Sequence, residues 1–141
     1  MKIAIASDHA GYDVKEQIKK HYGDQYEWLD LGTDSEASVD YPDFGHKLAQ
    51  AVEQNEVAKG IIICGTGIGI SIAANRHKGV RAALCTNATM AKLTRLHNDA
   101  NVLALGARIT GFEVILDCVD AFMGTEFEGG RHERRVNKLD D

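Results

Sequence analysis

Five short apolar runs alternate with stretches of helical periodicity from one end of the chain to the other, and few folds accept that alternation. The runs are Lys2 to Ala6, Glu27 to Leu31, Gly60 to Cys64, Arg81 to Leu84 and Val102 to Leu105. Their Ile, Val, Leu and Ala content fits strands covered on both faces, as in a parallel sheet. Between them the pattern predicts helices near 11–22, 42–55, 69–77, 88–97 and 111–123. Repeated βα units of this kind build a three-layer α/β/α, Rossmann-like fold around a five-stranded parallel sheet. Boundary residues support the assignment. Pro42 suits the first turn of the second helix, Gly79 the end of the third and Asn87 an N-cap for the fourth, while Thr110 and Glu113 have capping-box spacing for the fifth.

At 141 residues the chain matches one domain, 1–141, with a sizeable core. The segment GGRHERRVNKLDD ends it as a strongly charged tail, read as either a short docked helix or a frayed end. A net charge of −5 argues against sequence-independent attraction to nucleic acid or an anionic membrane, so an anionic ligand has to be held locally. The start MKIAIASDHAG breaks its apolar run at Asp8, and no 18-residue apolar span follows, so the expected location is cytoplasmic. Cys64, Cys85 and Cys118 lie 21 and 33 positions apart, without the spacing of a disulfide framework or structural zinc, and are expected to be free thiols.

In a parallel sheet, ligands bind beyond the carboxyl ends of the strands, near the reversal of strand order. Four loops are therefore expected side by side: Ser7-Asp8-His9, Gly65 to Gly69, and the ends of strands four and five. The second carries the densest signal. In ICGTGIGISIAAN neither glycine register completes a dinucleotide fingerprint, because Ile70 and Ile72 stand where the third glycine belongs, and no Gly-Lys-Ser/Thr ends a P-loop. What remains is a turn opening a helix, small enough for several main-chain N–H groups to face one oxygen anion. A tight turn without a ligand is the plainer reading.

Cys64 taken alone reads as a core thiol. At the end of a central strand, beside amides aimed at negative charge, its thiolate would be stabilised and would suit a base or nucleophile. Cys85 and Cys118 lack such neighbours and belong in the core. Asp8-His9 is a turn and N-cap or a polar pair at the ligand edge. His97, ahead of Asn98 and Asp99, either caps the fourth helix or donates a proton. Arg131 and Arg135 share a face if the tail is helical and would then clamp a phosphate; otherwise they are a solvated charge run. Arg108 stands ready to join them or to serve a neighbouring subunit.

Together, SDHAG at 7–11, DYPDF at 40–44, ICGTGIGISIAAN at 63–75, RLHNDANVLALGAR at 95–108 and EGGRHERRV at 128–136 resemble the type B ribose-5-phosphate isomerases over essentially the whole chain. The resemblance implies interconversion of ribose 5-phosphate and ribulose 5-phosphate through an enediolate, without metal or organic cofactor. It makes Cys64 the base between C2 and C1 and His97 the acid that opens the sugar ring. Gly65, Thr66, Gly67, Ile68 and Gly69 line the anion hole, Thr66 counting among the catalytic groups. Asp8 and Asn98 bind sugar hydroxyls, and Tyr41, within DYPDF, joins the substrate-binding set. His9, Arg108, Arg131 and Arg135 form the phosphate grip. The implied assembly is a homodimer, with a tetramer left open, whose sites lie at the subunit interface and whose tail (128–141) crosses to the partner.

Related galactose-6-phosphate isomerase subunits each lack part of this set, which is complete here. Some relatives use a glutamate at the position of Ile70, so this chain falls in the cysteine branch. Ser7 stands where glycine or cysteine is common. Pocket length is not legible from the motifs, which leaves a hexose 6-phosphate of the allose or galactose type open as substrate. A non-catalytic phosphosugar-binding or nucleotide-binding module on the same fold is the contrasting reading.

Overall fold

The computed structural model describes residues 1–141. Its strands are β1 (Lys2–Ser7), β2 (Glu27–Asp30), β3 (Lys59–Cys64), β4 (Ala82–Leu84) and β5 (Val102–Gly106), all parallel, in the order β2-β1-β3-β5-β4. The helices are α1 (Tyr12–Tyr22), α2 (Tyr41–Glu53), α3 (Ile68–Ala74), α4 (Ala88–Asn98), α5 (Phe112–Met123) and α6 (Arg131–Val136). No helix is long and apolar enough to cross a membrane.

Strand side chains alternate between the faces, and the sheet divides its core accordingly. Ile3, Ile5, Ile61, Ile63, Leu103 and Leu105 point to one side, where they meet Ile18 of α1, Ala91 of α4 and Ile115 and Phe122 of α5. Ala4, Ala6, Ile62, Val102 and Ala104 point to the other, against Leu48 and Val52 of α2 and Ile70 and Ala74 of α3. Cys64 belongs to this second set. Its sulfur therefore emerges on the α2/α3 side of the sheet, at the carboxyl end of the central strand.

Chain order reverses between β1 and β3, which are neighbours although β2 lies on the outer side of β1. The loops after β1 and β3 consequently meet at the crevice. The loop after β4 does not join them as expected from sequence, because β5 inserts between β3 and β4 and moves that end one strand outward.

Pro42 sits in the first turn of α2, where its missing N–H leaves no helical bond unmade. The Asn87 side chain accepts from the Met90 amide at 2.9 Å as the α4 N-cap, worth about 1 kcal/mol. Two expectations are corrected. Helix α3 ends at Ala74 rather than 77; a series of tight turns follows, closed by His77 N–H to Ala74 O and Val80 N–H to His77 O. Gly79 serves that later turn, at φ +80. At α5 the N-cap is Gly111 and no side chain caps it, so the Thr110–Glu113 box does not form. The charged tail is a docked helix, α6, held against α4 through the buried His132.

Candidate active site

The loop after β3 is shaped by its glycines. Gly67 is the N-cap of α3 at φ +79, a conformation that side chains other than glycine adopt only at a cost. That turn directs the Gly67 N–H at the Cys64 sulfur, with N···Sγ of 3.1 Å. Gly69 allows a different approach: a Cβ there would lie 2.5 Å from the Tyr41 ring, so the ring rests on the first turn of α3. The Ile68 N–H donates to Thr66 Oγ1 at 3.1 Å, leaving the Thr66 hydroxyl its own proton to give. The N–H groups of Gly65, Thr66, Gly69 and Ile70 have no partner in the chain.

These residues surround a cleft of about 380 Å³ lined by Asp8, Tyr41, Cys64, Gly65, Thr66, Ile68 and Gly69. Cys64 is only 4% exposed yet contributes to its wall. Asp8, also buried, accepts from the Gly11 amide at 3.1 Å and so presents a carboxylate held from behind. His9 Nδ1 accepts from the Val39 N–H at 3.1 Å; in the neutral ring that leaves the proton on Nε2. Arg108 is exposed, makes no ion pair, and passes beside Gly65, 3.4 Å from where a Cβ would stand. It is thus a free cation at the rim.

His97 and Asn98 lie elsewhere, on the last turn of α4. Together with His132, Arg135, Val136 and Leu139 they line a second cleft of about 220 Å³ that shares no residue with the first. Arg131 opens α6, four positions before Arg135 on the same face, and both are exposed and without an acidic partner. The structure thus gathers Asp8, Tyr41, Cys64, the glycine loop and Arg108 at one place, and His97, Asn98 and Arg135 at another. The largest recess, about 460 Å³ along the outer side of β4, contains only Asn98 of the candidate set.

Three residues around His97 have no role of their own on sequence grounds, where His132 stands only as part of the positive cluster with Arg131, Arg134 and Arg135. His132 stacks on the His97 ring, centroids 4.5 Å apart and planes at 19°. Burial, and then the charges of Arg131 and His97, pull the His132 imidazole below the ordinary histidine range. Glu128 brings a carboxylate oxygen to 4.0 Å from His97 Nε2. Arg95 is buried and anchors this turn, donating to Asp99 Oδ1 (2.8 Å), Ala100 O (2.7 Å) and Thr125 O (3.0 Å). Only the i,i+4 spacing of Arg95 and Asp99 could have pointed to it. Ser7 Oγ is buried without a protein partner. Cys85 and Cys118 are buried and free, as expected; desolvation pushes the Cys85 thiol up to about 12 and raises Cys118 as well.

A crevice at the strand-order reversal, a thiol under a main-chain donor and unpartnered amides in the loop beside it are the setting in which the chain resembles known proteins. Residues 3–139 match the model of the Ribose/Galactose Isomerase family, and the chain belongs to that family of sugar-phosphate isomerases. Within it the chain stands with the type B ribose-5-phosphate isomerases. It is 47% identical over 139 residues to ribose-5-phosphate isomerase B of Escherichia coli, covering 98% of this chain and 93% of that one. The solved structure of Clostridium thermocellum ribose-5-phosphate isomerase B superposes with a TM-score of 0.97 at 55% identity, covering 99% and 95% of the two chains. That of the Mycoplasma genitalium enzyme with bound ribulose-5-phosphate gives 0.93 at 44%, covering 98% and 93%.

Proposed function

We propose that the chain interconverts D-ribose 5-phosphate and D-ribulose 5-phosphate through an enediolate formed at the Cys64 cleft. The observation that carries this reading is the Gly67 N–H on the Cys64 sulfur at 3.1 Å, beside four amides with no partner of their own. A thiolate accepting that bond is held where it can take the C2 proton and return it to C1. Removing that proton places negative charge on the carbonyl oxygen, and the unpaired N–H groups with the Thr66 hydroxyl are donors fixed in advance for it. Each such donor lowers the barrier by about 3–4 kcal/mol. Asp8 orients a sugar hydroxyl from the opposite wall.

Ring opening precedes proton transfer: the bond from C1 to the ring oxygen breaks, O1 becomes the carbonyl oxygen and gives up its proton, and the ring oxygen takes one. His97 is the donor in this reading, with Asn98 on the sugar hydroxyls and Arg131 and Arg135 on the phosphate, joined by His9 and Arg108. In this reading a complete site takes Cys64 from one chain and His97 from another, in a homodimer; it is supported by the two clefts of one chain sharing no lining residue. Exposed Tyr41, Ile68 and Ile72 near the first cleft, and Met90 and Leu93 on α4, provide apolar surface for such an interface.

The test follows ribose 5-phosphate in D₂O by NMR. Ribulose 5-phosphate should appear with solvent deuterium exchanged into the transferred position. Cys64→Ala should lower turnover by about 10²–10⁴-fold while ligand affinity persists. Tight binding of ribose 5-phosphate without C2 exchange would make the chain a binding module. A much higher kcat/KM on allose 6-phosphate would replace the pentose as substrate.

A further inference from the structure

His132 is 5% exposed, and its Nε2 has no hydrogen-bond partner in the protein. The ring belongs to a cluster with His97 and Glu128, in which one ligating atom from each residue lies within 4.8 Å of the others. The frame of the cluster is rigid. His97 is on α4, His132 is on α6 packed against α4, and the Glu128 amide donates to Leu96 O at 3.1 Å. Two imidazole nitrogens and one carboxylate oxygen are a borderline donor set, matched to zinc or cobalt rather than to magnesium or calcium, which take oxygen ligands.

Zinc bonds of about 2.0–2.2 Å place tetrahedral ligand atoms roughly 3.4 Å apart, so separations of up to 4.8 Å have to shorten by as much as about 1.4 Å. Glu128 is half exposed and the His97 side chain is 40% exposed, so both can move by that much while buried His132 stays fixed. Turning the His97 ring about its Cβ–Cγ bond brings its lone pair out of the stack and toward the shared point. A fourth position remains for water, as in sites with three protein ligands.

We propose that His97, Glu128 and His132 form a binding site for a divalent transition-metal ion of the zinc type, and that occupancy inhibits the enzyme. The inhibitory half rests on the reading of His97 as the ring-opening acid. An imidazole bound to metal must be deprotonated at the ligating nitrogen, and so cannot be the imidazolium that donates. The ion is not needed for turnover and acts against it.

The test titrates cobalt(II), then zinc, into the full-length metal-free protein. One cobalt per chain should give the visible absorption of a tetrahedral site, without a thiolate-to-cobalt band in the near ultraviolet, and zinc should displace it. Glu128→Gln should weaken binding by about tenfold or more, the scale on which even outer-shell partners matter, and His132→Ala should abolish the spectrum. Turnover should fall about tenfold at free zinc ten times Kd, recover with chelator, and in Glu128→Gln resist zinc in proportion to the lost affinity. Absence of the visible band, or a band with thiolate character that survives Glu128→Gln and disappears in Cys64→Ser, overturns the site. If the metal-free protein isomerises ribose 5-phosphate but never binds cobalt, the metal site fails and the isomerase reading stands. If cobalt binds but the metal-free protein never turns the sugar over, the failure lies in the assigned activity. Binding with unchanged turnover overturns the inhibition and the role given to His97.

Discussion

Complementation between two inactive variants tests the division of the candidate residues most directly. Cys64→Ala removes one heavy atom and one N–H···S contact, and His97→Ala removes a partly exposed ring, so both chains should fold. Each variant alone should lose about 10²–10⁴-fold in turnover, the usual contribution of a general base or acid. In a twofold dimer whose sites each join Cys64 of one chain to His97 of the other, a mixed dimer has one site with both changes and one with neither. Two differently tagged chains reassort as roughly 1:2:1, so half the dimers are mixed and half the sites in those are intact. The unfractionated mixture should therefore recover about a quarter of wild-type activity, and mixed dimers isolated through both tags about half. Mixed dimers verified by native mass spectrometry that stay at the level of the single variants would refute the shared site. The two clefts of one chain would then have to close on a common substrate.

Gly67→Ala forces a side chain into positive φ and places its Cβ 2.5 Å from Leu84 Cδ1 and 2.8 Å from the Leu105 carbonyl carbon. Left-handed strain and overpacking together should cost about 2–4 kcal/mol, and an unchanged urea midpoint would contradict this. Lys15 is 1% exposed and donates to both Asp30 oxygens at 2.8 and 2.7 Å. Asp30→Asn leaves that ammonium poorly paired and should destabilise by about 3 kcal/mol, measured by chemical denaturation. Burial alone would raise the Asp30 carboxyl, but hydrogen bonds from Lys15, Lys19 and the Gly32 amide hold it below the ordinary range. Its folded value thus lies below its unfolded one. The stabilisation is complete above about pH 5 and fades as the pH falls through the folded value, an acid slope that Asp30→Asn should lack. At pH 8, iodoacetamide should add once per native chain, at Cys64, and intact-mass analysis of Cys64→Ser should show none. Rapid labelling of Cys85 or Cys118 would contradict the burial that raises both thiols.

Much of the fold is written locally. A strand buried on both faces is a continuous apolar run and an amphipathic helix repeats every 3.6 residues, so ten elements are legible with boundaries shifted by a few residues. The cap at Asn87 and the place of Pro42 are equally local, because each depends on one side chain and the amides next to it. The Thr110–Glu113 spacing had the same kind of local support, yet Gly111 takes the cap position. A competition between neighbouring residues for one helix start is settled by how the chain arrives there. Along the sequence, the glycine loop and the thiol before it were enough to single out the turn that lines the first cleft.

Adjacency was legible only in outline: the loops after β1 and β3 were expected side by side, but so was the loop after β4, which β5 displaces. Asp8 and Cys64 are 56 positions apart and share a cleft only because β1 and β3 pair across the reversal of strand order. His97, which the resemblance places beside the same substrate, lines a different cleft of its own chain, and two of its ionisable neighbours, Glu128 and His132, come from the charged tail, docked by the buried His132 ring, the Glu128 amide on Leu96 O and the Asp140 carboxylate on the Gly79 amide. Periodicity reports which face of an element is covered. Strand order, and with it the company each charged or nucleophilic group keeps, follows from burying both faces of one sheet at once.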